Sequence, residues 1–474
     1  MDDPLGAGQM FRRVAFGAAL LLAGTSVGST PTTAAQLCDV EHIIVIYLEN
    51  HSFDNLFGFF PNADGLAAAG ATKIQVRPDG LPYDFLPPIH EGKGDSPIDP
   101  RFPEQLPNQP FSIDAYVPIG EPTRDLIHRF FYQKAQIDGG LMDKFAAYSD
   151  AGGLAMGFYD GSRTKLWDYA RRYTLADHFF HAAFGGSFLN HFWMICACTP
   201  RYEDAPSGPN GLRADPDQAF DNKLDLVAQL KKPDKVTNDG YAVNTLQPFD
   251  PPHLNEPTLP LQDMTTIGDE LSDKGIDWAW YAGGWDDAIA NHPDKNFQTH
   301  HQPFAYFKKY AANTEGRSRH LKDARDFVWQ VVNGTLPPVA FYKPIGELNE
   351  HPGYANVLEG DEHLGQVLHL IEQSPIWSNT VVIVTFDENG GYWDHVPPPV
   401  IDRWGPGLRV PTVIISPFAK KGFIDHTVYD TTAILKLIET RFGLDPLGER
   451  DKNSKDLTAA FDFMPRQAER ICKP

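Results

Sequence analysis

Long apolar runs that end abruptly in polar residues recur along the chain and predict buried β-strands. HIIVIYLEN (42–50) and TVVIVTFDENGG (380–391) are rich in β-branched residues and finish in acids and amides. PPVAFYKPIG (337–346) and RVPTVIISPFAKKG (409–422) are similar runs that stop at prolines or glycines. Because these runs are continuously apolar and do not alternate with polar residues, each predicted strand is buried on both faces of its sheet.

Amphipathic helices are predicted between these strands. In GDEHLGQVLHLIEQS (360–374) four apolar residues recur at helical spacing. A second helix is predicted around 323–332, and a third begins after Asp430 as its N-cap. This alternation predicts an α/β fold with a mostly parallel central sheet flanked by helices. We expect one large domain with long loop or lid insertions at 60–125 and 200–260, because both stretches are rich in Pro, Gly and Asp.

The composition allows a substantial core and argues against nucleic-acid partners. The chain has 474 residues, 42% of them hydrophobic, and a formal net charge of −21. So acidic a protein is repelled by nucleic-acid backbones and by anionic membrane surfaces. We therefore expect no DNA or RNA partner.

The first residues resemble an export signal. Arginines at 12 and 13 precede an apolar run over 14–23, and small residues follow. The run is shorter than the roughly 20 residues that span a bilayer, so no stable membrane insertion is expected. We predict a signal peptide at 1–35, a catalytic domain at 36–474, and a periplasmic or secreted protein exported by Sec, with the twin arginines leaving Tat open.

Four cysteines are present, and export would permit disulfides. Cys196 and Cys198 are not expected to bond to each other, because a single residue separates them. Cys38 and Cys472 could join the two ends of the mature chain. Four cysteines allow three pairings, and the sequence does not choose among them.

Two predicted strands end in groups that could share a cation. Glu49 and Asn50 follow the first apolar run, and Asp387 and Glu388 follow the run at 380–386. In open parallel sheets, ligands bind outside the carboxyl ends of the strands. Three carboxylates and an amide suit a hard or borderline divalent cation, which would relieve their mutual repulsion. The alternative is that these residues cap turns independently.

A serine and several histidines are candidates for phosphate-ester chemistry. Ser187 follows Gly185 and Gly186 and is predicted to open a helix, where unpaired N–H groups favour an anion such as phosphate. The alternative is a simple N-cap serine after a glycine turn. Imidazoles can neutralise phosphate oxygens or protonate a leaving alkoxide. The candidate histidines are His128, His300, His301 and His351.

The chain resembles the bacterial acid phosphatase and phospholipase C superfamily of phosphoesterases. HIIVIYLENHSFDNLFG, FDENGGYWDHVPPP and RVPTVIISPFAKKGFI are similar to that family's hallmark blocks and follow in the same order. The resemblance extends from about Cys38 to about Leu444 and implies an alkaline-phosphatase-like fold. It is closer to the acid phosphatase branch, because GGSFLNH places Ser187 where the phospholipase branch is expected to carry a threonine in a Pro-Asn-Arg context.

The resemblance also implies roles for individual residues. Ser187 matches the nucleophile, and His128 and His351 match catalytic positions in the phosphate pocket. Substrate contacts are implied for His300, His301 and Asn190. One divalent metal ion is implied, with the ligands Glu49, Asn50, Asp387 and Glu388. The chain departs from the family at His51, where the block commonly has arginine, and this difference could shift substrate preference.

These observations predict an exported, metal-dependent acid phosphatase that hydrolyses phosphomonoesters through a phosphoserine. The cation would lower the pKa of the Ser187 hydroxyl. Imidazolium donors work best below their pKa of about 6.5, so an acidic optimum is expected. The alternatives are a phospholipase C that cleaves lipid head groups and a non-catalytic protein that binds phosphate or metal. The expected partner is a small phosphate-ester substrate, and the sequence is compatible with a homodimer.

Overall fold

The structure is a computed structural model, and it describes residues 37–93, 96–208, 210–214, 233–250 and 257–463. The predicted signal peptide and Cys472 lie outside the described residues, as does part of the predicted loop at 200–260. Of the helices in the described ranges, none combines the length and the apolar character needed to cross a bilayer.

Within the described residues, an eight-stranded sheet forms the centre of the fold. Its strands, numbered along the chain, are β1 (His42–Leu48), β2 (Thr174–Ala176), β3 (Trp278–Ala282), β4 (Leu321–Asp323), β5 (Val339–Lys343), β6 (Thr380–Phe386), β7 (Thr412–Ile415) and β8 (Phe423–Asp425). Their order across the sheet is β8-β2-β7-β6-β1-β5-β3-β4. Neighbouring strands are parallel except at β7, which is antiparallel to both β6 and β2. The predicted α/β class with a mostly parallel sheet is confirmed.

Strands β1 and β6 lie side by side in the middle of this sheet. All their residues are buried except His42, which is partly exposed. Burial of a Val or Ile side chain stabilises the fold by roughly 1.5–3 kcal/mol, which offsets the cost of placing acids directly after these strands. The parallel pairing ends at Leu48 and Phe386. Glu49 and Asp387 therefore leave the sheet at the same edge.

Helices pack around the sheet. The α-helices of the described residues are α1 (Phe53–Phe57), α2 (Phe130–Ile137), α3 (Lys165–Arg172), α4 (Ser187–Cys196), α5 (Ile267–Asp273), α6 (Trp285–Ile289), α7 (Glu315–His320), α8 (Ala324–Asn333), α9 (Val357–Gln373), α10 (Thr432–Phe442) and α11 (Glu449–Asn453). Because the residues of β1, β5 and β6 are buried almost throughout, both faces of the sheet centre are covered.

The predicted helices are present, with ends set by local capping. α9 begins at Val357 because the Asn356 side chain accepts a hydrogen bond from a backbone N–H of the first turn. The N-cap of α10 is Thr431, one residue after the predicted N-cap Asp430. Asp430 still serves this end of the helix, because its Oδ1 accepts a hydrogen bond from the Thr432 N–H at 2.7 Å.

One expectation about the cysteines is wrong: Cys196 and Cys198 form a disulfide with each other. Helix α4 ends at Cys196, and Ala197 then adopts a left-handed conformation with φ of 46°. This sharp turn brings the two cysteine Cα atoms to 5.1 Å, within the usual range for a disulfide of about 4.4–6.8 Å. Cys38 is also disulfide-bonded.

Candidate active site

Four oxygen-bearing side chains meet where β1 and β6 end. Glu49 and Asn50 follow β1, Asp387 and Glu388 follow β6, and none of the four has exposed surface. Gly390 allows the two loops to approach, because its φ is 62° and a Cβ there would lie 2.1 Å from the Asn50 carbonyl oxygen. Its backbone N–H donates a hydrogen bond to Glu388 Oε2 at 2.6 Å. The structure thus brings the four predicted metal ligands together.

Ser187 lies beside this group as the first residue of α4. Its Oγ donates a hydrogen bond to Asn50 Oδ1 at 3.4 Å. The preceding turn contains Gly185, with φ of 90°, and Gly186. A Cβ on Gly186 would lie 2.7 Å from the carbonyl oxygen of His128, so the glycine is needed for the serine to approach this histidine segment. The predicted helix-opening position of Ser187 is confirmed.

The Asn190 side chain is hydrogen-bonded to the turn before Ser187, and its expected contact with phosphate stays a prediction. Its Oδ1 accepts a hydrogen bond from the Ala183 N–H at 2.9 Å, and its Nδ2 donates to the carbonyl oxygens of Ala183 and Gly185 at 3.0 and 3.3 Å. The side chain has no exposed surface. Both ends of the amide are thus hydrogen-bonded to the turn, which the side chain stabilises.

His128 and His351 face each other, with ring centres 5.7 Å apart. In each ring, Nδ1 donates a hydrogen bond to a backbone carbonyl at 2.6 Å, that of Leu126 for His128 and that of Pro352 for His351. These bonds leave Nε2 as the nitrogen available for chemistry. Nε2 of His128 lies 3.8 Å from Glu388 Oε1. Burial lowers the pKa of His128, so its ring is cationic only in acidic solution.

His300 and His301 are adjacent in the chain but face different groups. His301 Nε2 lies 2.5 Å from Glu49 Oε1, whereas His300 lines the cavity in front of Ser187. Burial lowers the pKa of both rings. His300 thus faces the cavity, and His301 faces the carboxylates.

Lys343 and His191 also belong to this site, and the sequence analysis missed both. Lys343 is the last residue of β5 and is fully buried, with Nζ 2.8 Å from Glu49 Oε1 and 3.8 Å from Asp387 Oδ2. His191 lies one helical turn after Ser187, with Nδ1 3.7 Å from Asp387 Oδ2. The available signals were a lysine that ends an apolar strand and the i, i+4 spacing on a helix that begins with serine.

The buried carboxylates have unequal proton affinities. Burial raises the pKa of Asp387, and burial together with the charge of Asp387 raises the pKa of Glu388. Burial acts in the same direction on Glu49, but the positive charges of His301 and Lys343 outweigh it and hold the pKa of Glu49 well below its usual range. Without a further positive charge, the site favours protonated carboxyls at Asp387 and Glu388.

This donor set fits a divalent cation. Glu388 Oε1 is buried and accepts no hydrogen bond from the described residues. A cation there would satisfy this oxygen and reverse the increases in carboxyl pKa. Imidazole donors are also within reach, because two sets of three residues each offer atoms within 4.8 Å of one another: Glu49, His300 and His301, and Glu49, His191 and Asp387.

A cavity of 630 Å³ opens in front of Ser187. Its lining includes Glu49 and the histidines at 128, 300 and 351, together with three cations and three aspartates: Lys93, Arg129, Lys235, Asp125, Asp150 and Asp234. Two of these cations have acidic neighbours, Lys93 at 3.8 Å from Asp125 and Arg129 at 3.1 Å from Asp234. The cavity therefore combines an imidazole-lined floor with a wall of mixed charge.

His51 lies outside this cavity wall and supports its floor. The ring is buried, its Nδ1 lies 2.6 Å from Asn55 Oδ1, and its Nε2 lies 3.0 Å from the Glu350 carbonyl oxygen. Burial lowers the pKa of His51 to about 4, so the ring is neutral. The residue that departs from the family block thus holds the segment that carries His351.

The fold and the site together define an α/β protein with a cation-compatible, carboxylate-rich centre beside a buried serine. The chain belongs to the Phosphoesterase family, whose model matches residues 40–445. The resemblance seen in the sequence is confirmed by this match.

The relatives of this chain include bacterial phospholipases C. The chain is 25% identical over 497 residues to phospholipase C B of Mycobacterium tuberculosis, covering 94% of this chain and 83% of that protein. It is 25% identical over 477 residues to the non-hemolytic phospholipase C of Pseudomonas aeruginosa, covering 90% of this chain and 58% of that protein. The family and these relatives support a hydrolase that acts on phosphoric esters.

Among solved structures, the fold is similar to a protein in the alkaline phosphatase superfamily from Vibrio parahaemolyticus. The TM-score is 0.33 at 12% identity, and the match covers 65% of each chain. The topology of the eight-stranded sheet itself shows the α/β class.

Proposed function

We propose that this phosphoesterase is a metal-dependent acid phosphatase that acts on phosphomonoesters through a phosphoserine at residue 187. The observation that carries the proposal is the position of Ser187 Oγ, at the N-terminus of a ten-residue helix and 3.4 Å from Asn50 in a group of three carboxylates. A hydroxyl in this position has an anion-binding helix end on one side and a potential cation site on the other.

The metal ligands proposed are Glu49, Asn50, Asp387 and Glu388. A divalent cation held by them would supply positive charge that lowers the pKa of a neighbouring hydroxyl and offsets phosphate charge. The Lys343 Nζ already lies 2.8 Å from Glu49 Oε1.

The bond changes can be assigned to residues of the chain. Ser187 first loses its hydroxyl proton to solvent; its Oγ then attacks phosphorus, the bond from phosphorus to the leaving oxygen breaks, and protonated His351 gives its Nε2 proton to that oxygen. Water then attacks phosphorus, one proton of that water returns to His351 as the bond to Ser187 breaks, and the released Ser187 oxygen takes up a proton from solvent. His128 and His300 donate to the phosphoryl oxygens. Asn190 keeps the glycine turn, and therefore Ser187, in place.

The preference for a monoester over a diester depends on the bound cation. A phosphomonoester carries up to two negative charges, whereas a diester carries one. The cavity is lined by three histidines and by Lys93, Arg129 and Lys235, but also by Glu49, Asp125, Asp150 and Asp234, so the protein's own charges select neither substrate. A divalent cation held by the four proposed ligands would add positive charge that suits the more highly charged monoester.

A phospholipase C is the second candidate, because the bacterial relatives bear that name. A cavity of 630 Å³ accommodates a small phosphate ester or a phosphorylated head group. Specificity is therefore tested by assay with three substrates: p-nitrophenyl phosphate, bis(p-nitrophenyl) phosphate and phosphatidylcholine in mixed micelles. A higher kcat/KM for the first supports the acid phosphatase, and a higher value for either diester overturns that part of the proposal.

The nucleophile is tested with Ser187→Ala, and Ser318→Ala on the exposed side of α7 is the matched control. We expect Ser187→Ala to lose turnover by at least about 10³-fold while inorganic phosphate still binds, as measured by calorimetry. Normal turnover by this variant would remove Ser187 from the mechanism. Binding of phosphate by the wild-type protein without turnover of any ester would instead support the non-catalytic alternative.

We also propose export of the mature chain from residue 36 onward, supported by the residue pattern over 12–35. N-terminal sequencing of the protein recovered outside the cytoplasm tests this cleavage position.

A further inference from the structure

A second cluster of histidine and aspartate lies at the edge of the sheet, away from the candidate active site. Asp177 and His178 directly follow β2, and His426 directly follows β8. These strands are parallel neighbours, and Ala176 is paired with Asp425 in their register. The residues after the two strands are therefore brought side by side, in the same way as the acids after β1 and β6.

The rings of His178 and His426 both approach one carboxylate oxygen of Asp177. Asp177 Oδ1 lies 2.9 Å from His178 Nδ1 and 3.0 Å from His426 Nδ1. One atom from each residue falls within a sphere small enough for a single metal ion, since all lie within 4.8 Å of one another. Neighbouring ligand atoms of a tetrahedral zinc ion are about 3.3 Å apart, given bonds of about 2.0–2.1 Å. Only small shifts would separate the observed atoms to that distance.

Surrounding groups orient these side chains. Asp177 has no exposed surface, and its Oδ2 accepts a hydrogen bond from the Asp64 N–H at 2.8 Å. The Asp64 carboxylate also lies 3.3 Å from Nε2 of His178. A ligating histidine usually donates its second ring nitrogen to a carboxylate in this way, which fixes its orientation.

The cluster is spatially separate from the candidate active site. None of its three residues lines the cavity in front of Ser187. In the sheet, β2 and β7 separate the edge strand β8 from β6, which carries Asp387 and Glu388.

We propose that Asp177, His178 and His426 form an accessory site for a divalent metal of the zinc class. Two imidazole nitrogens and one carboxylate oxygen are donors that zinc prefers. The side chain of His426 is 61% exposed, which gives the ion a route of entry and leaves a position open to water. A bound ion links the edge strand β8 to β2 and stabilises this side of the sheet. The competing explanation is that Asp177 simply accepts hydrogen bonds from both rings.

The test uses the full chain, stripped with a chelator and titrated with Zn²⁺ by calorimetry at pH 7.5. His426→Ala is the diagnostic variant, because its exposed ring can be removed without opening the core. His369→Ala, which removes an exposed histidine on α9, is the matched control. We expect the wild type and His369→Ala each to bind one more Zn²⁺ per chain than His426→Ala does. We also expect His426→Ala, loaded with its catalytic metal, to hydrolyse p-nitrophenyl phosphate at the wild-type rate.

Thermal unfolding gives a second readout. Zn²⁺ should raise the melting temperature of Ser187→Ala, which keeps the accessory site, by more than it raises that of the double variant Ser187→Ala/His426→Ala. Equal zinc stoichiometry in His426→Ala and His369→Ala would overturn the proposal and leave the cluster as a hydrogen-bonded link.

Discussion

Lys343 provides the sharpest test of the electrostatics of the active site, through the variant Lys343→Met. Methionine retains an unbranched apolar side chain of similar length but removes the charge. Lys343 has no exposed surface, and its Nζ lies 2.8 Å from Glu49 Oε1. At an effective dielectric constant of about 20, the Coulomb attraction at that distance is about 6 kcal/mol. Part of it is offset by the desolvation cost that the variant avoids, so we expect a net loss of about 3–5 kcal/mol in the free energy of unfolding of the metal-free protein.

The pH of the measurement decides the size of this effect. Burial lowers the pKa of His301, so at pH 8 its ring is neutral and cannot replace the missing charge beside Glu49. As the pH falls, the ring of His301 gains a proton and places positive charge beside Glu49. The destabilisation by Lys343→Met should therefore be largest at pH 8 and smaller at pH 5.

The assay is urea unfolding of the chelator-treated full chain, followed by circular dichroism at both pH values. Lys93→Met is the control, because the Lys93 side chain is 63% exposed and its ion pair with Asp125 spans 3.8 Å. Such surface pairs contribute at most about 1 kcal/mol. Excess Mn²⁺ should recover part of the stability of Lys343→Met, since the ion supplies positive charge to the same carboxylates. Equal stability of the two variants at pH 8 without metal would refute the reasoning.

Three further predictions concern His128, Asn190 and His395. If protonated His128 assists catalysis, kcat/KM for p-nitrophenyl phosphate should fall as the pH rises, with a midpoint below about pH 6.5, because burial lowers the pKa of His128. This decrease should be absent in His128→Gln. The same pH profile in the wild type and the variant would contradict the prediction. Asn190→Ala should lower kcat about 10–100-fold at constant metal content, because the turn loosens, whereas a rise in KM alone would indicate direct phosphate contact. Contacts with Asp54 and Asp394 outweigh the effect of burial and raise the pKa of His395 to about 8. The protonated ring therefore stabilises the fold fully below about pH 6.5, and this stabilisation is lost as the pH rises through 8. His395→Gln should thus cost about 1 kcal/mol at pH 6 and little at pH 9 in urea unfolding, and an equal cost at both pH values would exclude this linkage.

The strand ends were predictable because a physical rule connects them to the sequence. Continuous apolar runs indicate strands buried on both faces, and ligand groups collect at the carboxyl ends of parallel strands. These two rules identified Glu49 and Asp387 before the register of β1 and β6 was known. They did not identify Lys343, because the sequence does not state that β5 is the other neighbour of β1.

Other differences arise from local backbone geometry that residue spacing does not reveal. Asn190 lies three residues after Ser187, and this spacing suggests that both residues contact the substrate. In the structure, the Asn190 amide is hydrogen-bonded to the backbone of the turn before Ser187. The disulfide between Cys196 and Cys198 depends on the left-handed conformation of Ala197, which sequence rules do not assign to alanine.

The buried lysine at the end of β5 also governs how firmly the centre can retain an ion. Its fixed charge lies 3.8 Å from Asp387 Oδ2 and therefore repels any cation that arrives there. The lysine lets the core close around its acids in the absence of metal, and it would weaken the binding of a cation by the same carboxylates. A cation held there would exchange with the surroundings, so the metal content of the purified protein would follow the supply in the compartment where it works.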